Sequence, residues 1–298
     1  MSATIAISGK GGSGKTTVAA MAVRLLVERS RRSVLAVDAD PNSCLGLALG
    51  LQPEVTVADL RDATLERKLK GAETNRERAF EYALQRAVVE GHGFDLLTMG
   101  LPEGPKCYCA VNNLLRKYLD AAGKDYRYLV VDNEAGMEHL SRRTTDAVDL
   151  LVVVAEPTPV GLLTARRILG LSERLPIAVR RRGVLWNKVT NPADLPAATA
   201  DLPALGSVPY DREVLEASAR NAAVFELSAA NPALVAVGEV LASMAGVAAH
   251  EATKKLSPNE GCHPQTKFGG AASAGYSTPK QHRLGVAPES GSSEIDKK

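Results

Sequence analysis

The sequence predicts an α/β fold: a mostly parallel sheet with helices on both faces. Three observations carry this. Short runs such as YLVVD (residues 128–132) and LLVVVAE (150–156) are apolar on both faces, as strands covered on both sides are. Stretches of helical character separate most of them. A glycine-rich turn joins the first strand to the first helix, at the edge where such sheets bind ligands.

In order, residues 4–8 read as the first strand and about 15–28 as the first helix. Residues 33–37 form an apolar second strand ending at Asp38, and 94–99 a third. Strands at 128–132, 150–156, 183–187 and, more weakly, 205–208 complete the sheet. Helices are expected at about 76–90, 110–122, 161–174, 212–220 and 233–248. Composition changes near His250, so the chain divides into a nucleotide-type domain at 1–250 and a tail at 251–298 rich in Gly, Ser, Pro and Lys, expected to be disordered.

Bulk composition excludes several function classes. A net charge of +2 and 4% aromatic residues argue against nucleic-acid binding by charge or base stacking. No apolar run is long enough to span a bilayer, and no signal peptide is expected, since the phosphate-type loop comes almost at once. Four cysteines in 298 residues are no disulfide framework and fit a reducing, cytoplasmic setting where close thiols serve metals or redox chemistry.

The turn reads Gly9-Lys10-Gly11-Gly12-Ser13-Gly14-Lys15-Thr16-Thr17, a phosphate-binding loop of the form G-x-x-x-x-G-K-[ST]. Its glycines let backbone N–H groups face ATP phosphates, and the helix N-terminus adds its positive dipole end. Lys15 is expected at the β- and γ-phosphates and Thr16 at Mg²⁺. Asp38 and Asp40, in Asp38-Ala39-Asp40-Pro41-Asn42, lie on the same ligand edge, placed for Mg²⁺ and water; turn formation is the plainer role for Asp-Pro-Asn. Asp132 ends its strand in the manner of a Mg²⁺-holding carboxylate.

Cys107-Tyr108-Cys109 places two thiols on one side of an extended segment. Two ligands are too few for a tetrahedral Zn²⁺ or Ni²⁺ site, but a two-fold homodimer would supply four. Two incidental residues, or a redox pair, are the alternatives. Cys44 reads as a partly buried small residue, His139 as a packing residue, and Cys262-His263 as incidental.

The lysine after the first glycine resembles the deviant Walker A loop, GKGGxGKTT, of P-loop ATPases that include nitrogenase iron protein and the Min and Par proteins. Within that class, GKGGSGKTT, VDADPNSCLG, CYC and DNEAGMEHLSRRT together resemble the CooC-type maturation factors of nickel carbon monoxide dehydrogenase and their relatives serving acetyl-CoA synthase. The resemblance covers about residues 1–248. It implies an ATP-hydrolysing homodimer in which Lys10 reaches the partner's nucleotide, Asp40 orients the attacking water, and Gly136 senses the γ-phosphate. It implies that Asn187, beside Lys188, meets the purine base, and that the segment at Pro209 closes over adenine. It implies Ni²⁺ or Zn²⁺ at paired Cys107 and Cys109, delivered to a nickel–iron–sulfur client. A Min- or Par-type positioning ATPase without a metal role is the alternative. Against it, residues 233–248 lack the Lys and Arg of a membrane-binding helix.

Overall fold

The computed structural model describes residues 2–30, 33–60, 84–100, 119, 125–134, 147–175, 177–191, 193, 195 and 201–254. Cys107, Cys109, Gly136, His139 and the expected helix at 110–122, apart from Leu119, lie outside them, as do residues 255–298.

The described strands are β1 (Ala3–Gly9), β2 (Val34–Ala39), β3 (Val88–Glu90), β4 (Phe94–Thr98), β5 (Tyr128–Asn133), β6 (Ala147–Ala155), β7 (Ala178–Val189) and β8 (Ala204–Pro209). They form one sheet in the order β3-β4-β2-β5-β1-β6-β7-β8. Every pairing is parallel except β3 with β4. The described helices are α1 (Lys15–Ser30), α2 (Leu45–Leu49), α3 (Pro159–Arg174), α4 (Arg212–Ala219) and α5 (Pro232–Lys254), with a 3₁₀ turn at Val224–Glu226.

Side-chain alternation along the central strands divides the core. Ile5, Ile7, Ala36, Val130 and Val152 pack with α1, which is itself covered by Leu234 and Val237 of α5. On the other side, Ala6, Leu151 and Val153 pack against Ala165, Ile168 and Leu169 of α3, while Val37, Leu97 and Val131 form a neighbouring cluster with Leu84. Covered on both faces, β1, β2 and β5 are nearly all apolar, which is why they are plain in the sequence.

Elsewhere the structure departs from the sequence reading. The helix expected at 76–90 gives way to strand: residues 84–87 are helical, but Val88–Glu90 pairs antiparallel with β4. Gly91-His92-Gly93 turns the chain, with Gly93 at φ +84° and the Gly91 N–H donating to the Phe94 carbonyl at 2.8 Å. Two β-branched valines before a glycine-rich tight turn are a hairpin signal. β7 begins at Ala178 rather than 183, because its arginines find partners: Arg180 meets Asp149 at 3.2 Å and Arg182 donates to the Ser172 hydroxyl at 2.9 Å. α3 starts two residues early at Pro159, where the Thr158 hydroxyl accepts the Gly161 N–H at 3.1 Å. α5 continues to Lys254, past the expected end at 248 and four residues into the segment expected to be disordered.

Candidate functional site: a phosphate loop beside a row of buried polar groups

β1 delivers the chain into the glycine-rich loop, and α1 begins at Lys15. A side chain at Gly9 would put Cβ 2.2 Å from the Val154 carbonyl oxygen, so glycine lets β1 end against β6. Gly12 and Gly14 have φ of +78° and +93°, the left-handed region that β-carbons disfavour. The loop closes with the Ser13 N–H on the Lys10 carbonyl at 3.2 Å. Lys10, Gly11 and Gly12 are exposed and Lys15 is buried. Lys10 and Ser13 also line a small cleft with Glu156, Thr158 and Thr164, between β6 and α3.

Parallel register sets the acidic side of the site. Thr98, Asp38 and Asp132 are direct partners across β4, β2 and β5, and Asp132 aligns with Ile7 of β1. The three share a face with Ala36 and Val130, the α1 face, and each is wholly buried. Asp38 anchors the loop after β2: its carboxylate accepts the Leu45 N–H at 2.8 Å and the Asp40 N–H at 3.2 Å. Asp40 makes the expected turn, accepting the Asn42 backbone N–H at 3.0 Å and side-chain amide at 2.8 Å.

Neither oxygen of Asp132 has a hydrogen-bond partner, and Thr98 Oγ1 and Ser13 Oγ are likewise buried without one. Burial pushes the Asp132 carboxyl up to about 6, although the nearby Thr16 hydroxyl and Lys15 favour its charged form without meeting hydrogen-bond geometry. Burial raises Asp38 to about 7, with Asp132 adding repulsion that the two backbone N–H groups partly offset. An orphaned carboxylate facing a phosphate loop suits a hard divalent cation, which Mg²⁺ satisfies with one or two carboxylates, a hydroxyl and phosphate oxygens. Asp132, Thr16 and Asp38 are the residues that would hold it.

The late strands bring the residues expected at the base to the same edge, with an outcome that sequence reasoning missed. Asn187 donates its side-chain amide to the Ser13 carbonyl at 2.8 Å, and Lys188 Nζ donates to the Gly12 carbonyl at 2.8 Å and meets Glu156 at 2.6 Å. Both side chains therefore hold the phosphate loop itself. Pro209 ends β8 opposite Val189, and the Tyr210 N–H donates to the Val189 carbonyl at 3.0 Å, so the 209–211 segment sits beside Asn187 and Lys188. Asn231, buried, fixes that segment: its amide donates to Asp211 at 3.0 Å and Glu213 at 2.9 Å, while its oxygen accepts the Leu234 N–H at 3.1 Å.

Cys44 is exposed, not partly buried as the sequence suggested, and its thiol sits 3.4 Å from the Asn42 carbonyl. Desolvation, with Asp38, Asp40 and Asp132 nearby, raises its pKa. Among the described residues, no three His, Cys, Asp or Glu side chains cluster as a metal site, and no helix is long and apolar enough to cross a membrane.

Residues 4–224 match the family described as the CobQ/CobB/MinD/ParA nucleotide binding domain. The chain belongs to this family. The MinD/ParA-type nucleotide-binding fold accounts for the phosphate loop and the mostly parallel sheet together. Relatives at higher identity include an uncharacterized ATP-binding protein of Methanocaldococcus jannaschii, 38% identical over 243 residues, which span 79% of this chain and 96% of that protein. The carbon monoxide dehydrogenase accessory protein CooC of Rhodospirillum rubrum is 35% identical over 243 residues, 76% of this chain and 90% of CooC. Among solved structures, the septum site-determining protein MinD of Pyrococcus horikoshii, complexed with Mg-ADP, shares the fold at a TM-score of 0.62 and 21% identity, with 84% of this chain and 99% of MinD covered.

Proposed function

We propose that this MinD/ParA-type protein is an ATP-hydrolysing maturation factor that works as a homodimer and carries nickel, or zinc, to a client metalloenzyme in the cytoplasm. The client is a nickel–iron–sulfur protein, carbon monoxide dehydrogenase or acetyl-CoA synthase. The observation that carries the reading is the pairing of a two-lysine phosphate loop with Cys107-Tyr108-Cys109 in a chain 35% identical to CooC.

In this reading Gly9–Thr17 cradles the phosphates, and Lys15 neutralises the β- and γ-phosphate oxygens. Mg²⁺ at Thr16 and Asp132, when bound, withdraws charge from those oxygens. Asp40 orients a water whose oxygen bonds to the γ-phosphorus while the bond to the β,γ-bridging oxygen breaks. The products are ADP and inorganic phosphate. Lys10 reaches the partner subunit's nucleotide, so ATP draws two chains together. Cys107 and Cys109 of each chain contribute four thiolates to one metal ion on the two-fold axis, a second and separate link between the chains. The metal is cargo, and the change of dimer geometry on hydrolysis supplies its release.

Equilibrium dialysis of the purified chain against Ni²⁺ or Zn²⁺ tests this, alongside an ATPase assay. The expected result is one ion per two chains, lost in Cys107→Ala/Cys109→Ala, with turnover lost in Lys15→Ala and Asp40→Ala. ATP-dependent retention on DNA or lipid vesicles with no metal affinity would move the protein to the positioning class.

A further inference from the structure

The phosphate loop is held from outside by two side chains that lie beyond the G-x-x-x-x-G-K-[ST] motif itself. In a trans peptide the carbonyl and the following N–H point in opposite directions, so holding one aims the other. Asn187 holds the Ser13 carbonyl at 2.8 Å and so turns the Gly14 N–H to the opposite side of the loop. Lys188 holds the Gly12 carbonyl at 2.8 Å, and the Ser13 N–H on the far side of that peptide closes the turn onto the Lys10 carbonyl at 3.2 Å. Glu156, the residue after β6, fixes the Lys188 ammonium at 2.6 Å.

The backbone is shaped for these contacts. The β7–β8 ladder shifts register between Trp186 and Val189, the interval that contains Asn187 and Lys188. Lys188 sits at φ +59°, a left-handed conformation unfavourable to a side-chain-bearing residue and maintained only by its surroundings. Gly14 leaves the space that Asn187 occupies, since a β-carbon there would stand 2.3 Å from the Asn187 amide nitrogen.

We propose that Lys188 and Glu156 are positioning residues for nucleotide binding and hydrolysis. They form an ion pair that fixes the Gly12–Ser13 peptide of the phosphate loop, rather than reading the base. This rests on the ATP-binding reading of the loop. Glu156 acts by orienting the ammonium, whose charge also favours phosphate nearby.

The test compares Lys188→Met, Lys188→Arg, Glu156→Gln and the double variant Lys188→Met/Glu156→Gln with the wild-type chain. Calorimetry gives affinities for ADP, a non-hydrolysable ATP analogue and the matching GTP analogue, and steady-state assays give kcat. Lys188→Met should weaken ADP and the ATP analogue alike by about ten-fold, the scale of one charge-assisted hydrogen bond, and lower kcat. The preference for adenine over guanine should not change. Lys188→Arg should recover most of the loss. Glu156→Gln should show a smaller loss of the same kind, and the double variant should be no worse than Lys188→Met, because both act through one contact. Wild-type affinities in Lys188→Met, a loss confined to base preference, or additive losses in the double variant would each overturn the proposal. A wild-type chain that binds no ATP would instead defeat the proposed function.

Discussion

Asp38 and Asp132 are direct neighbours on adjacent parallel strands, both wholly buried, and burial raises them to about 7 and about 6. Two buried carboxylates at one level of a sheet are costly when both are ionised. Asp132, with no hydrogen-bond partner on either oxygen, has nothing in the described structure to offset burial fully. A divalent cation with its nucleotide would relieve this cost, adding to the positive charge that Lys15 already brings near Asp132.

The first prediction concerns pH. Folded pKa values above the usual 3.8 mean that the folded state holds these protons more tightly than the unfolded chain. Without Mg²⁺ and nucleotide, stability should be greatest at low pH as far as these two groups are concerned. It should fall as pH rises from about 4 through about 7. Asp132→Asn, which removes one buried charge, should stabilise the ligand-free protein at pH 8 by on the order of 2 kcal/mol while weakening Mg²⁺-dependent nucleotide binding. Thermal melts across pH, with and without Mg-ADP, read both effects. An Asp132→Asn chain less stable than wild type at pH 8 would contradict the argument.

Gly14→Ala should damage the phosphate loop without unfolding the domain. The new β-carbon meets the Asn187 amide at 2.3 Å and must adopt φ near +93°. Either the loop or Asn187 moves, at a cost of about 1–2 kcal/mol from backbone conformation alone. ADP affinity should fall by at least about ten-fold, with far-ultraviolet circular dichroism unchanged. Unaltered ADP affinity would show that the loop does not depend on Asn187 packing.

Much of this was legible in the sequence, for a local reason. β1, β5 and β6 are apolar on both faces because both faces are covered, and the phosphate loop is a local motif whose residues are consecutive. The acidic edge was legible too, since Asp38 and Asp132 each end an apolar run. The strand at Val88–Glu90 was missed because it is only three residues long and follows directly on the helical residues 84–87. The roles of Asn187 and Lys188 at the loop were missed for a different reason. Their partners are 174 and 176 residues away in sequence, and only the folded sheet, with β6 between β1 and β7, brings them together. Asn231 carries no sequence signal beyond its place before Pro232; its importance comes from three contacts that converge when β8 and α5 pack.

Asn231 yields a stability prediction. It is buried and serves Asp211, Glu213 and the first turn of α5 at once. Asn231→Ala removes a helix cap and two hydrogen bonds to carboxylates, so unfolding free energy should fall by about 2–3 kcal/mol. The Asn231→Asp variant keeps the cap oxygen but sets a third carboxylate beside Asp211 and Glu213, and should be nearly as harmful at pH 7. Urea titration gives both values; a change below about 0.5 kcal/mol for Asn231→Ala, the range of ordinary surface substitutions, would mean that the contacts contribute little.

In the proposed function two ligands, ATP and a thiolate-bound metal, each join two chains through different residues. Light-scattering masses measure this directly in the wild-type chain, Lys10→Ala and Cys107→Ala/Cys109→Ala, each with Ni²⁺ or with a non-hydrolysable ATP analogue. Wild type should be dimeric with either ligand. Lys10→Ala should dimerise with metal and stay monomeric with the ATP analogue, and the double cysteine variant should do the reverse. Metal-driven dimers that survive loss of both cysteines would contradict the account.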